Sequence, residues 1–481
     1  MKISDPKPRV TVLSGDGIGP EVTGATIKLL DAAGAQIDWE YAVAGQMAFA
    51  KGIDSGVPSE TLASISTSKV VLKGPLATPI GHGQKSANVT LRKFFETFAN
   101  IRPAKELPNV PSAFSGRGID LVIVRENVED LYAGIEHMQT PNVAQCLKLI
   151  SRLGSQRISE AAFSVARAED RKKVTVATKA NIMKLTEGLF KSEFEQVARR
   201  FPEIKSEHML IDNCAHQLVI RPEQFDVIVT TNMNGDILSD LASGLVGGLG
   251  FAPSANLGYE VAMFEAVHGT APDIEGKNIA NPTAMILSAL MMLRHLGDFV
   301  TAAKIESSLY ATLEDGIHTL DIKKKGSVGT DEFIEEIISR LSGISGQVNR
   351  RYKDLDLRYV SREKSDHLPS SRKKKGADVF IESNESPSAI AAQLESVITG
   401  TPYTLKMISN RGTQVWPETG AIPTLVDLYR CRFIITDEAS WHPDSILGLL
   451  EKIGTKFRWM HVEKLENLDG QDVFTKAQGE N

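Results

Sequence analysis

Strand-like and helix-like segments alternate through the first two thirds of this 481-residue chain, and that alternation restricts its fold more than any other feature. Arg9-Val-Thr-Val-Leu13 reads as a strand, followed by Gly15-Asp-Gly-Ile-Gly-Pro-Glu21 and a helical pattern reaching Leu30. β-rich runs return at 69–72, 121–124, 173–177 and 227–230. Helical patterns lie near 88–98, 155–168, 182–199, 236–246 and 282–296. Such alternation predicts an α/β architecture with largely parallel strands.

The length exceeds what one ordinary core supports, so two or three domains are expected. A change of composition marks a boundary. Between 343 and 376 Lys and Arg outnumber Asp and Glu and large apolar residues are scarce, which reads as a basic, exposed linker. Beyond it the pattern is strand (378–382), helix (387–398), strand (405–409), strand (426–435), helix (444–453) and strand (457–463). That order, β-α-β-β-α-β, is ferredoxin-like. Three regions follow: a core over 1–342, the linker over 343–376 and a C-terminal α+β domain over 377–481.

Hydrophobic residues at 42% and charged residues at 24% exclude a disordered or fibrous chain. The longest apolar run, 284–293, is about half a membrane span and is broken by Ser288, so no transmembrane helix is expected. The N-terminus lacks the apolar stretch of a signal peptide. Cys146, Cys214 and Cys431 form neither a disulfide framework nor a zinc pattern, which suits a reducing cytoplasm. A net charge of −6 argues against nucleic acid as a partner.

Several short motifs carry chemistry. Gly15-x-Gly17-x-Gly19 follows a strand but lacks the G-x-G-x-x-G spacing, so a structural turn opening a helix is the better reading and a Rossmann fold is not indicated. Ser86-Ala-Asn88-Val-Thr-Leu-Arg92, Ile101-Arg102-Pro103 and Val124-Arg125-Glu126-Asn127 set three arginines near element ends. The guanidinium fork binds carboxylates in a bidentate way, so three of them suit a multiply charged carboxylate substrate. Ser86 and Asn88 stand at a helix N-terminus, where hydroxyl and N–H groups favour an anion. The plainer alternative makes Ser86 a helix cap and the arginines surface ion pairs.

Asn232-Met-Asn-Gly-Asp236-Ile-Leu-Ser-Asp240 puts two carboxylates four apart on one face, at the start of the expected helix. Oxygen-only ligands select magnesium or manganese, although acids also favour helix N-termini through the dipole. Asp212 could complete the set. Lys179, in Thr178-Lys-Ala-Asn-Ile-Met-Lys184, could assist proton transfer, and Tyr132 could donate a phenolic proton. Each has a plain structural alternative, a solvated lysine and a packed aromatic. His268-Gly-Thr-Ala-Pro-Asp273-Ile274, followed by Asn281-Pro282, has the small residues of a loop that meets a ligand with its backbone.

Taken in order, GDGIGPEV, KGPLATP, SANVTLR, RENVEDLYAG, TKANIMK, NMNGDILSD and HGTAPDI resemble the β-decarboxylating dehydrogenases, which include isocitrate and 3-isopropylmalate dehydrogenases. The likeness runs from residue 9 to about 340. The tail is similar to the C-terminal extension of long-chain bacterial isocitrate dehydrogenases, through Leu405-Lys-Met-Ile-Ser-Asn-Arg-Gly-Thr-Gln414 and Phe474-Thr-Lys-Ala-Gln-Gly479.

The resemblance implies a large domain from both ends of the core (about 1–97 and 247–342) and a small domain with a short clasp (about 98–246). It also implies an obligate dimer with shared active sites. The implied reaction is NAD-dependent, Mg²⁺- or Mn²⁺-dependent oxidative decarboxylation of isocitrate to 2-oxoglutarate. Ser86, Asn88, Arg92, Arg102 and Arg125 would bind substrate, and Asp236 and Asp240 the metal, with Asp212 from the partner. Lys179, also from the partner, and Tyr132 would move protons. Leu76, Thr78, Glu265, His268, Gly269, Thr270, Ala271, Pro272, Asp273, Ile274 and Asn281 would line the cofactor. Asp273-Ile274 stands where NADP-using relatives carry Lys-Tyr, so NAD is the expected cofactor. Ser-x-Asn at 86–88 favours isocitrate over isopropylmalate; homoisocitrate is the nearest alternative substrate. A metabolite- or RNA-binding regulator is the alternative of another class.

Overall fold

Val10, Val12, Val71, Leu72, Val122, Val124, Val227 and Val229 are almost completely buried, as expected of strands covered on both faces. The computed structural model describes residues 7–78, 86–343, 360, 368–418, 420, 423–436, 442 and 444–480. Most of the expected linker, 344–359 and 361–367, and Pro79 of the KGPLATP motif lie outside the described residues. The strands are β1 (Arg9–Leu13), β2 (Asp38–Ala42), β3 (Val70–Lys73), β4 (Ala99–Lys105), β5 (Asp120–Glu126), β6 (Glu136–Thr140), β7 (Val143–Cys146), β8 (Lys173–Thr178) and β9 (Lys205–Leu210). They continue with β10 (Val227–Thr230), β11 (Pro253–Leu257), β12 (Ala262–Ala266), β13 (Arg372–Glu382), β14 (Tyr403–Asn410), β15 (Thr413–Trp416), β16 (Leu428–Ile435), β17 (Arg458–Leu468) and β18 (Gln471–Asp472). Two units result: Met1–Ala133 with Lys148–Lys364, and Gly134–Leu147 with Ser365–Asn481.

The first unit is built on a ten-stranded sheet in the order β2-β1-β3-β12-β11-β4-β5-β10-β8-β9. The strands β2-β1-β3-β12 are mutually parallel, and so are β5-β10-β8-β9. Between them β11 and β4 pair antiparallel with each other and with their outer neighbours, so the two parallel sets run in opposite directions. Cross-strand partners share a face of the sheet. The register Lys73↔Glu265, Glu265↔Ser254, Asn256↔Asn100 and Asn100↔Arg125 therefore lines up polar side chains on one face across five strands. No helix among the described residues is long and apolar enough to cross a membrane.

Observed and expected elements differ in two places that matter. The helix expected from 236 begins at Asn232 and runs to Leu245, with no acid in its first turn. Asp236 and Asp240 are thus interior positions, and the helix dipole does not account for them. The C-terminal sheet likewise starts early. Arg372 to Gly376, expected as linker, belong to β13 and pair with β17. Their charges suit this position because Arg372 and Lys374 both meet Glu466, at 3.0 and 2.5 Å.

The second unit holds a six-stranded antiparallel sheet in the order β15-β14-β16-β13-β17-β18, with helices Pro387–Val397 and Ser445–Gly454. Its core includes Val379, Ile381, Ile390, Leu394, Phe433 and Leu449. Arg432, fully buried, donates to Asp378 at 2.7 and 2.8 Å and to Glu480 at 2.8 and 2.9 Å, and lies over the Phe474 ring. Gln478 N donates to Gly412 O and Gln414 N to Gln478 O, so the two C-terminal motifs touch each other. The β6–β7 hairpin belongs to this unit: Asp427 accepts from Thr140 Oγ1 at 2.8 Å and from Asn142 Nδ2 at 2.9 Å. The second unit thus includes, besides the C-terminal residues, a hairpin segment, Gly134–Leu147.

Buried charge makes two of these contacts testable. Arg432→Leu leaves Asp378 and Glu480 buried without their cation, and breaking such a pair costs about 3–5 kcal/mol. Urea melts should show destabilisation of that order; a midpoint equal to wild type would refute the role of the pair.

Glu126 ends β5 and accepts from the N–H groups of Val128 and Glu129, shaping the turn that leads to Tyr132. Burial, reinforced by the Glu129 carboxylate, pushes its carboxyl from 4.5 up to about 8. The folded chain therefore keeps a proton that the unfolded chain has released. The associated stability is fully present below pH 4.5 and is lost as pH rises through about 8. Glu126→Gln keeps the acceptor but cannot ionise. Its Tm should fall less than that of wild type between about pH 5 and 8, and should exceed it at the upper end.

Candidate active site

The polar row on the sheet is a connected network. Lys73 Nζ lies 2.5 Å from Glu265 Oε2, and Arg92 Nη2 lies 3.0 Å from Glu265 Oε1. Asn256 Nδ2 donates to Glu265 at 2.7 Å, Asn100 Nδ2 to Asn256 at 2.8 Å and Arg102 Nε to Asn100 at 2.6 Å. Arg102 Nη1 then reaches Ser239 Oγ at 2.7 Å, Asp236 at 3.3 Å and Asp240 at 3.5 Å. Arg125 also meets Asp236, and its Nε and Nη2 donate to Asn232 Oδ1 at 3.1 and 2.7 Å. Tyr132 O–H donates to the other Asp236 oxygen at 2.5 Å. Small residues permit this approach: a Cβ on Gly235 would stand 2.6 Å from Arg125 Cγ.

Charge and burial set the ionisation of these groups. Burial alone would raise the Glu265 carboxyl, but Lys73 and Arg92 hold it well below its ordinary range. Asp236 behaves similarly: burial raises it, and Arg125 and Arg102 more than offset that. Asp240 is raised by burial, against the pull of Arg102. Burial, with repulsion from Arg102 and Arg92, brings the Arg125 guanidinium down to about 10. Burial and the bond to Asp236 raise the Tyr132 hydroxyl, so it holds its proton near neutrality.

A cavity of about 330 Å³ gathers Leu76, Thr78, Asn88, Arg92, Arg102, Glu265, His268, Gly269 and Thr270. Ser86 does not line it but touches Thr78, which does. Although Ser86 is the N-cap of the helix Ala87–Phe94, its hydroxyl caps nothing and meets the Thr78 hydroxyl at 3.1 Å. Asn88 Oδ1, Arg92 Nε and His268 Nε2 are buried without a hydrogen-bond partner in the described structure. Three orphaned polar atoms around one cavity fit a polar occupant, since leaving such groups unmet costs about 1–3 kcal/mol each.

The remaining expected residues stand apart from that cavity. Pro272–Ile274 is a short 3-10 turn following Ala271, which has φ +40°, and Asp273 is exposed. Asn281 Nδ2 donates to Asp321 at 2.9 Å. Lys179 and Asp212 form their own pair at 3.0 Å. Among the described residues no three His, Cys, Asp or Glu side chains gather to hold a metal, so within one chain Asp212 does not join Asp236 and Asp240. The latter two still present an all-oxygen donor pair fit for a hard divalent cation. The orphaned His268 Nε2 and the exposed turn at Asp273 fit a nucleotide cofactor.

Motif reasoning overlooked Lys73, Asn100, Asn232, Asn256 and Asp321. The strand pleat held a signal for one of them: Asn100 precedes Arg102 by two residues and so shares its face. Asp16 was passed over inside the glycine-rich turn. Its carboxylate accepts from Gln46 N and Ala77 N, and Ile18 N donates to Thr270 O, so the turn locks the 75–77 and 268–271 loops together. A Cβ on Gly17 would come within 2.1 Å of Thr270 O, which requires glycine there.

The chain is similar to known proteins along most of its length. Residues 9–337 match the family described as isocitrate/isopropylmalate dehydrogenase, and residues 372–480 match the bacterial isocitrate dehydrogenase C-terminal domain. The chain is 58% identical to a Thermus thermophilus protein named isocitrate dehydrogenase [NADP], over 99% of this chain and 97% of the relative. It is 46% identical to isocitrate dehydrogenase [NAD] subunit alpha, mitochondrial, of Macaca fascicularis, over 72% of this chain and 96% of the relative. A solved protein from Thermus thermophilus superposes with a TM-score of 0.96 at 58% identity, covering 100% of this chain and 97% of that one. The chain belongs to the isocitrate/isopropylmalate dehydrogenase family, in the long bacterial form that carries the additional C-terminal domain.

Proposed function

We propose that the chain catalyses the oxidative decarboxylation of isocitrate to 2-oxoglutarate, with a divalent cation and with NAD preferred over NADP. The observation that carries the reading is the cluster of Arg92, Arg102 and Arg125, the last two paired with Asp236 and Arg102 also with Asp240, beside a cavity lined by Asn88, Arg92 and Arg102, with Ser86 against the lining residue Thr78. Two carboxylates of the substrate engage the arginine forks, and the Ser86 hydroxyl and the Asn88 amide meet the third. When bound, the nicotinamide supplies the hydride acceptor and the cation supplies Lewis-acid charge at the substrate oxygens. Asp236 and Asp240, with Asp212 from a second copy, hold that cation. Lys179 of the second copy takes the C2 hydroxyl proton. After loss of CO2, Tyr132 delivers its proton to the enolate carbon.

Sharing of sites calls for a dimer. Ile182, Ile220 and Ile237 are 68%, 51% and 60% exposed, on segments near Lys179, Asp212 and Asp236. Such a run of exposed isoleucines fits a self-association face. We also assign the core lobes as 1–97 with 247–342 and 98–246, meeting where β4 pairs with β11. The order β14-β16-β13-β17 supports reading the C-terminal unit as an elaborated ferredoxin-like domain.

The cofactor preference rests on Asp273. Its carboxylate can accept hydrogen bonds from ribose hydroxyls but repels a 2′-phosphate. Lys277 Nζ, the cation four residues on, donates to the Asp273 carbonyl at 2.7 Å, and Lys323 Nζ donates to Gly316 O at 3.3 Å. Relatives from Thermus and Rickettsia that match over nearly the whole chain are named for NADP, and the macaque relative named for NAD matches 72% of it, so the turn itself must be tested. Wild type should show higher kcat/KM with NAD, and Asp273→Lys with Ile274→Tyr should move preference toward NADP by about tenfold or more. A wild type favouring NADP would overturn the preference. Separately, Asp236→Asn should lower kcat by at least about a hundredfold while the far-UV spectrum is kept. Full turnover by that variant in chelator would remove Asp236 from the metal site.

A further inference from the structure

Three charged side chains stand behind the proposed catalytic residues without lining the substrate cavity. Lys148 Nζ lies 2.5 Å from Asp130 Oδ1 and 2.9 Å from Glu187 Oε1. Both acids are fully buried, and the lysine side chain is 13% exposed. Burial works against the ammonium, yet the bonds to the two acids more than offset it and lift its pKa above the ordinary lysine value.

The second oxygen of each acid binds the backbone of a segment that carries chemistry. Asp130 Oδ2 accepts from Met233 N at 2.9 Å, in the first turn of the helix Asn232–Leu245 that bears Asp236 and Asp240. The Asp130 carbonyl accepts from Ala133 N at 3.1 Å and closes the turn Leu131–Ala133 around Tyr132. Asp130 itself has φ +66°, a left-handed conformation that costs energy in a residue with a side chain, and bonds on both sides hold it there. Glu187 Oε2 accepts from Lys179 N at 3.1 Å. Its Oε1 accepts at 3.4 Å from the hydroxyl of Thr231, the N-cap residue of the same helix. Lys148 thus joins the acid that fixes Tyr132 and Asp236 to the acid that fixes Lys179. Without the lysine, two buried carboxylates have no cation between them, and they find relief by taking up a proton or moving apart. Either response loosens segments whose misplacement by about 1 Å can cost about a hundredfold in rate.

We propose that Lys148 is a positioning residue for two active sites at once. Through Asp130 it sets Tyr132 and Asp236 for the site on its own chain, and through Glu187 it sets Lys179 for the site on a second copy. The inference rests on the shared-site reading above. A fault at Lys148 in one chain of a dimer therefore reaches both sites, whereas a fault at Tyr132 reaches one.

Isocitrate turnover by hybrid dimers, assembled from two differently tagged chains, separates these cases. As a control, a hybrid of Tyr132→Phe with Lys179→Met should regain about half of the wild-type kcat, because one of its two sites receives both intact groups. Absence of that rescue would overturn the shared-site reading, and the two-site role with it. A hybrid of wild type with Tyr132→Phe should likewise keep about half, and a hybrid of wild type with Lys148→Met less than about a fifth. Half activity in the Lys148 hybrid would confine the lysine to one site and contradict the proposal. The Lys148→Met homodimer should lose about thirtyfold in kcat with its isocitrate KM within about threefold of wild type, and Lys148→Arg should recover most of that loss. A loss confined to KM would refute positioning of the reacting groups. Lys148→Met combined with Glu187→Gln restores the net charge of the buried set and keeps an acceptor for Lys179 N, but lacks the bridge. Its Tm should return toward wild type while kcat stays low. A kcat that recovers together with Tm would reduce Lys148 to a structural role and overturn the proposal.

Discussion

Four cations buried in one patch of one sheet face would drive each other apart, and the site depends on how that repulsion is answered. Lys73, Arg92, Arg102 and Arg125 are all largely desolvated, and Glu265, Asp236 and the half-exposed Asp240 answer them directly. Isolated buried charges are costly unless they are paired and hydrogen-bonded. The asparagines at 100, 256 and 232 complete the hydrogen bonding that the acids begin, and they do so from rigid strands and a helix. What is left over, three orphaned polar atoms and excess positive charge, is complementary to an anion with several carboxylates. A preorganised site of this kind loses little on binding, because its dipoles and charges are already aimed.

The alternation of strands and helices was legible in the sequence, as were the three arginines, the paired acids and Tyr132. Each has a local signature: apolar period, spacing of four, or position at a strand end. The insertion of β11 and β12 between β3 and β4 had none, because the pairing joins segments far apart in the chain. Asn100 and Asn256 escaped notice for the same reason, since each is an ordinary strand residue until its cross-strand partner is known. The lysines at 373 to 375 looked like a tether because solvated charge and edge-facing strand charge have the same composition. Only the register opposite Glu466 tells them apart. Asp236 was assigned to a helix start because Asn232, Asn234 and Gly235 are weak helix formers, yet the helix begins at Asn232.

The C-terminal unit ties its last residues to its centre. Arg432 reaches both β13 and Glu480, and the tail lies against the turn at 410–414. Asp427 also holds the β6–β7 hairpin within this unit. In the first unit Lys148 carries a buried bridge of its own, to Asp130 and Glu187.

The antiparallel junction has a consequence for biosynthesis. A ribosome releases β1, β2 and β3 first, but β3 finds its neighbour β12 only after every strand from β4 to β11 has emerged. Until then the edge of β3, with Val70, Val71 and Leu72, stays open to any passing chain, the circumstance that favours mispairing and aggregation. The half made of β5, β8, β9 and β10 is contiguous apart from the hairpin and can assemble as it appears. Closure of the sheet, and with it the creation of the polar row, falls late in synthesis, when β11 and β12 arrive to join the β1–β3 set to β4 and β5.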